Sequence, residues 1–168
     1  IGLVVYPFLT RIYSPEDFGL LNLFLSIGNV LVVLSVADYY YSIVLPKDER
    51  HAIALVYVSL IPLILTTVII LISILFAKQI SNLFNSPNLV DYYWLLPIYV
   101  LVIGLWNVLN YWYIRQKKFG SISTYQISQN IFSSGGKMVL GYEGVLQGGM
   151  IYSVVLAPIL SLVMSILF

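Results

Sequence analysis

The chain has 168 residues, 60% of them hydrophobic and 9% charged, with a formal net charge of +1 and no cysteine. A soluble domain carries about 25% charge, so with a mean hydropathy of +0.95 this one lacks the charge to cover a water-facing surface and reads as an integral membrane protein. No basic stripe exists to neutralise phosphates, which excludes a nucleic-acid partner; without cysteine there is no disulfide, thiolate metal site or cysteine nucleophile.

Residues 1–9 form an apolar run, about half of the ~20 residues that cross a ~30 Å hydrocarbon core. The last run closes at Phe168 while still apolar, so the chain reads as a fragment cut within helices at both ends. Leu9-Thr10-Arg11-Ile12-Tyr13 ends the first run with the interfacial cation and aromatic that a membrane boundary attracts. Ser14-Pro15-Glu16-Asp17 then reads as a helix start, with Ser14 as N-cap, Pro15 at the first helical position and two acids in the positive first turn. Residues 18–37 are a second span, broken only by small or amide residues such as Asn22, Ser26 and Asn29. Asp38 and Tyr39–Tyr41 fall at its far interface as an aromatic belt.

Leu45–Ala52 is a solvated charged loop; its His51, the chain's one histidine, has no evident partner. Residues 52–77 hold seventeen Leu, Ile, Val or Phe, enough to insert even with a kink at Pro62. Lys78–Asn85 lies along the interface, Asn85-Ser86-Pro87-Asn88 turns, and Tyr92-Tyr93-Trp94 re-enters the bilayer. Residues 93–113 form the fourth span, followed by Arg115, Lys117 and Lys118. The fifth, 121–142, recurs in Ser, Thr, Gln and Asn up to Lys137, which suits a bundle interior better than lipid. The sixth, 148–168, holds Pro158 and opens among Gly141, Gly144, Gly148 and Gly149. Lys47, Arg50, Arg115, Lys117 and Lys118 follow spans two and four, against Arg11 and Lys78 on the other side, so the first set and the N-terminus are expected in the cytoplasm. The fold class is therefore all-α, a polytopic transmembrane helix bundle of about six spans.

The string from Leu9 to Gly19 closely resembles the connector after the first span of Wzx-type polysaccharide flippases, in the multidrug/oligosaccharidyl-lipid/polysaccharide exporter superfamily. Further anchors follow in order: Ile43-Val44-Leu45-Pro46-Lys47 with nearby acids, Tyr111-Trp112 with Arg115 and Lys117-Lys118-Phe119, then the glycine-rich opening of the sixth span. Asp38-Tyr39-Tyr40 departs from the pattern, where an arginine and an acid often flank an aromatic. The resemblance implies the N-terminal half of a two-bundle transporter with a central, often cationic cavity. By alternating access it would flip polyprenyl-diphosphate-linked oligosaccharide across the bacterial inner membrane for O-antigen, capsule or exopolysaccharide synthesis. Its partners would be that lipid-linked sugar, membrane lipid and the missing C-terminal bundle.

Candidate substrate-binding residues are Arg11, Lys137, Asn22, Asn29, Tyr125 and Gln129. Arg11 reads first as the anchor of a helix end, since interfacial arginine is common in any membrane protein, and otherwise as a site for an anionic headgroup at a cavity mouth. Lys137 is the one charge inside a candidate span and fits a substrate diphosphate or a snorkelling lysine. The amides suit sugar hydroxyls or interhelical bonds, and Tyr125 suits stacking on a sugar. Gly144-Val145-Leu146-Gln147-Gly148 matches a helix-pairing pattern but falls at a span boundary and reads as a turn. Glu16, Asp17, Asp38, Asp48, Glu49, Asp91 and Glu143 are scattered over loops and span ends on both sides, which argues against an enzyme, and no metal or cofactor is expected. The rivals are a drug or metabolite exporter of the same superfamily, and a polytopic enzyme or assembly factor of polysaccharide synthesis.

Overall fold

The computed structural model describes residues 2–36, 39–145 and 148–167. It is an all-α membrane helix bundle, with no strand among these residues. In chain order the helices are α1 (Gly2–Ile12), α2 (Pro15–Val36), α3 (Glu49–Ser73), α4 (Ala77–Leu83), α5 (Leu95–Arg115), α6 (Phe119–Tyr142) and α7 (Gly149–Leu167). Short 3-10 turns occupy Tyr39–Val44, Ile74–Phe76 and Pro87–Tyr92. Pro15–Val36, Glu49–Leu83, Leu95–Arg115 and Gly149–Leu167 are each long and apolar enough to cross a membrane. At 24 residues α6 is also long enough, but its serines and amides keep it off that apolar set.

The helix starts follow from their caps. Ser14 and Asp17 form a reciprocal box at the head of α2: the Ser14 amide and hydroxyl donate to Asp17 Oδ2 at 2.9 and 2.8 Å, and the Asp17 amide donates back to Ser14 Oγ at 3.3 Å. Asp48 caps α3 by accepting from the Arg50 amide at 3.2 Å. The helix therefore begins at Glu49, inside the segment expected to be loop. His51 Nδ1 lies 3.5 Å from Asp48 Oδ2, so the histidine has a partner on the first turn that the sequence did not show. Pro62 lies within α3, which runs unbroken to Ser73. The expected interfacial segment after it is the helix α4, joined to α3 by a single 3-10 turn.

The stops share one device. Asn85, Lys117 and Gly144 have φ of 50°, 57° and 80°, and each is followed by an amide that reaches back five residues: Ser86 to Ser81, Lys118 to Tyr113 and Val145 to Leu140, at 3.1, 2.9 and 3.0 Å. Lysine is the poor fit, because its Cβ crowds the carbonyl in the left-handed conformation. Lys117→Gly is expected to raise stability by about 1 kcal/mol, read as a higher Tm in detergent micelles.

The core sits around α5, which packs against α2, α3, α6, α7 and the Tyr39–Val44 turn. Phe24, Leu63, Leu96, Val100 and Ile151 are fully buried there. The α3–α5 contact is tight at Gly104, where an added Cβ would collide with the Leu63 side chain. Leu63 has no exposed surface and nowhere to move. Gly104→Val is expected to cost about 3 kcal/mol by overpacking, measured by thermal unfolding, with Leu63→Ala restoring part of the loss in the double variant.

Candidate polar site between the helices

The surface of the bundle divides by polarity. The exposed side of α3 is Tyr57, Ile61, Ile64, Val68 and Ile72, and that of α7 is Leu156, Leu160, Val163 and Ile166; these faces suit lipid. On α2 the exposed face instead carries Gly19, Asn22, Ser26 and Asn29 before turning apolar at Val33. On α6 a second polar stripe runs Ser123, Gln126, Asn130, Ser134 and Lys137, at helical spacing, exposed at its start and half-buried toward Lys137. An amide turned to hydrocarbon costs several kcal/mol. Such faces belong against water, a polar ligand or another protein segment.

Tyr99 of α5 joins the two polar helices. Its hydroxyl donates to Asn29 Oδ1 at 3.0 Å, and it is an electrostatic neighbour of Tyr125 on α6. The Tyr125 ring lies flat on Trp106, with centroids 3.4 Å apart and planes 7° from parallel. The structure thus brings Asn29 and Tyr125 to one place, but Tyr125 is only 2% exposed. One face of the ring sought for a sugar already carries an indole. Gln129 follows one turn later, half-buried, and Asn22 stands exposed on α2. Neither side chain makes a hydrogen bond among the described residues.

Tyr92, Tyr99, Trp106 and Tyr113 recur every seven residues and form an aromatic ladder from the Pro87–Tyr92 turn along α5. Tyr92 meets Tyr152 edge-on, Tyr99 reaches α2, Trp106 carries Tyr125, and the Tyr113 hydroxyl donates to the Ser165 carbonyl at 3.4 Å. That period was written in the sequence, and reading the aromatics as interfacial belts hid it. Two buried atoms here have no partner among the described residues, the Tyr125 hydroxyl and Asn110 Oδ1. An unsatisfied buried hydroxyl costs about 1–3 kcal/mol. Tyr125→Phe, which keeps the stack and deletes the orphan, is expected to raise stability by about 1 kcal/mol, checked by the unfolding midpoint.

Tyr13, two residues after Arg11, ties the first connector to the Lys137 turn of α6. The Tyr13 hydroxyl donates to the Lys137 carbonyl at 2.7 Å, and the ring sits in a notch where Cβ atoms on Gly141 or Gly149 would touch it at 3.0 and 2.8 Å. Gly148 lies against Tyr92 in the same way, which accounts for the glycine-rich start of α7. Burial, with Asp17 nearby, pushes the Tyr13 phenol up. The phenol therefore keeps its proton at neutral pH, and the bond to Lys137 is lost only as pH rises above the usual tyrosine range. Arg11 is exposed two residues before this latch. The Lys137 ammonium is half-buried and has no ion pair or hydrogen bond among the described residues.

At the opposite end the Arg115 guanidinium donates through one nitrogen to the carbonyls of Ile43 and Pro46, at 3.3 and 2.5 Å. Tyr40 and Tyr41 pack on Tyr111 beside it, with ring centroids 5.0 and 4.9 Å away. The expected interfacial Asp38, and Leu146 and Gln147 of the glycine-spaced turn, lie outside the described residues.

A family model described as polysaccharide biosynthesis protein matches residues 8–168, from the latch to the end of α7. The chain belongs to that family. Two stretches that carry the resemblance in this polysaccharide biosynthesis protein, Ile43–Lys47 and Tyr111–Lys118, are far apart in sequence and meet in space through Arg115. No curated protein and no solved structure gives a significant match. Among the described residues no three His, Asp or Glu side chains gather as a metal site.

Proposed function

We propose that this membrane bundle is part of a carrier, not an enzyme, that flips polyprenyl-diphosphate-linked oligosaccharide across the bacterial inner membrane for O-antigen, capsule or exopolysaccharide synthesis. The observation that carries the reading is the pair of polar faces on α2 and α6 in a multi-pass member of a polysaccharide biosynthesis family. Those faces need a polar filling, and a sugar-diphosphate head supplies it. Such a head cannot cross ~30 Å of hydrocarbon unaided. The carrier works by alternating access, with the polar faces turned toward an opposing bundle of the same protein and the polyprenyl tail left in lipid. Lys137 and Arg11 attract the diphosphate; Asn22, Asn29 and Gln129 bond sugar hydroxyls; and Tyr125 backs them through its stack on Trp106. The end bearing Lys47, Arg50, Arg115, Lys117 and Lys118 lies in the cytoplasm, as the excess of basic residues there favours.

The test uses the intact gene product in vesicles loaded with a fluorescent polyprenyl-diphosphate oligosaccharide. Protein-dependent loss of the outer-leaflet pool supports the reading. Transport of cationic drugs with no movement of the sugar lipid would replace it with the exporter reading.

A further inference from the structure

A separate cavity of about 600 Å³ opens between the first two turns of α2 and the connector that follows α4. Its walls carry Glu16, Asp17, Asn85 and Asn88 over an apolar floor of Leu20 and Leu23. No lysine or arginine lines it among the described residues, and neither carboxylate is ion-paired there. Asp17 is engaged by Ser14, whereas the side chains of Glu16, Asn85 and Asn88 make no hydrogen bond among the described residues. Asp17 lines the cavity together with Asn85, Ser86, Pro87 and Asn88, so this carboxylate stands where the two connectors approach each other. Gly19, on the cavity wall, begins the polar face of α2, and the cavity is continuous with that face.

The chemistry selects one kind of occupant. Carboxylates accept hydrogen bonds, and amides both donate and accept, which is what the hydroxyl edge of a sugar requires. Leucine side chains suit its C–H face. The same two carboxylates repel a phosphate. The volume falls in the range of small-ligand pockets.

We propose that this cavity is a saccharide subsite that takes the sugar end of the lipid-linked substrate while the diphosphate stays at Lys137; it rests on the carrier reading above. Ile12 and Ser14 line the cavity, and Tyr13 between them reaches the Lys137 carbonyl. The cavity therefore lies one tyrosine side chain away from the turn of α6 that carries Lys137.

The experiment compares the intact protein with Glu16→Gln/Asn88→Ala, a pair chosen because neither side chain caps a helix. The first probe is lipid-free saccharide released by mild acid from the cell's own lipid-linked pool, and the second is sugar-free polyprenyl diphosphate; binding is followed by saturation-transfer NMR and calorimetry. The double variant is expected to bind the saccharide at least about tenfold more weakly and the polyprenyl diphosphate unchanged. Unchanged saccharide binding, equal weakening of both probes, or occupation by calcium ions in place of saccharide would each overturn the subsite. Saccharide binding that depends on Glu16 and Asn88 in a protein that moves no lipid would uphold the subsite and remove the carrier reading. Flipping by a variant with unaltered saccharide affinity would do the reverse.

Discussion

Lys137→Met is expected to reduce sugar-lipid flipping by roughly thirtyfold or more while leaving the protein as stable as before, or more so. The two halves of that expectation have one cause. A half-buried ammonium without an ion pair or hydrogen bond among the described residues is an expense to the fold, so a methionine of similar length relieves it. Lys137→Arg keeps the charge and is expected to retain most of the activity, with a changed KM because a forked guanidinium meets phosphate differently. The checks are initial flipping rates in vesicles and Tm in detergent for the same preparations. A methionine variant that flips normally would remove Lys137 from the site. One that melts early would make it structural.

The fold was legible in the sequence wherever one local rule decided it. Composition required a membrane bundle, and Ser14-Pro15-Glu16-Asp17 announced the start of α2 because cap, proline and acids all answer the same unpaired amides. The start of α3 was misjudged for a comparable reason. Asp48-Glu49-Arg50-His51 looks like solvated charge, and only the bond from the Arg50 amide to Asp48 shows that the cluster is the first turn of a helix. The interior was harder. Fourteen tyrosines in 168 residues invite a reading as interfacial belts, yet Tyr99, Trp106 and Tyr113 are core residues whose seven-residue period was available. Which face of α2 or α6 is polar followed from spacing alone. That Tyr99 would bond Asn29, or that Tyr125 would lie flat on an indole, depends on how α5 is inserted between α2 and α6, and no single segment encodes that.

Arg115→Met is expected to cost about 2–3 kcal/mol and to loosen the Tyr39–Val44 turn without moving the rest of the bundle. The guanidinium holds the carbonyls of both Ile43 and Pro46, where the Tyr39–Val44 turn runs out ahead of α3. Charge-assisted bonds to backbone carbonyls are worth more than neutral ones, and losing the donor leaves two half-shielded acceptors. Lysine can place an ammonium near one of these carbonyls but does not span both, so Arg115→Lys is expected to recover about half of the loss. Hydrogen exchange at the amides of residues 45–50, with the unfolding midpoint, measures both effects. Faster exchange confined to this segment is the expected pattern, and unchanged exchange would mean that the packing of Tyr40 and Tyr41 on Tyr111 holds the turn unaided. The consequence reaches beyond the Tyr39–Val44 turn. Arg115 sits in the most basic cluster of the chain and invites a role in binding an anionic head, but its donors face backbone. The exposed cations at that end are Lys47, Arg50, Lys117 and Lys118. Within the helices, among the described residues, the half-buried cation without a partner is Lys137, at the opposite end from Arg115.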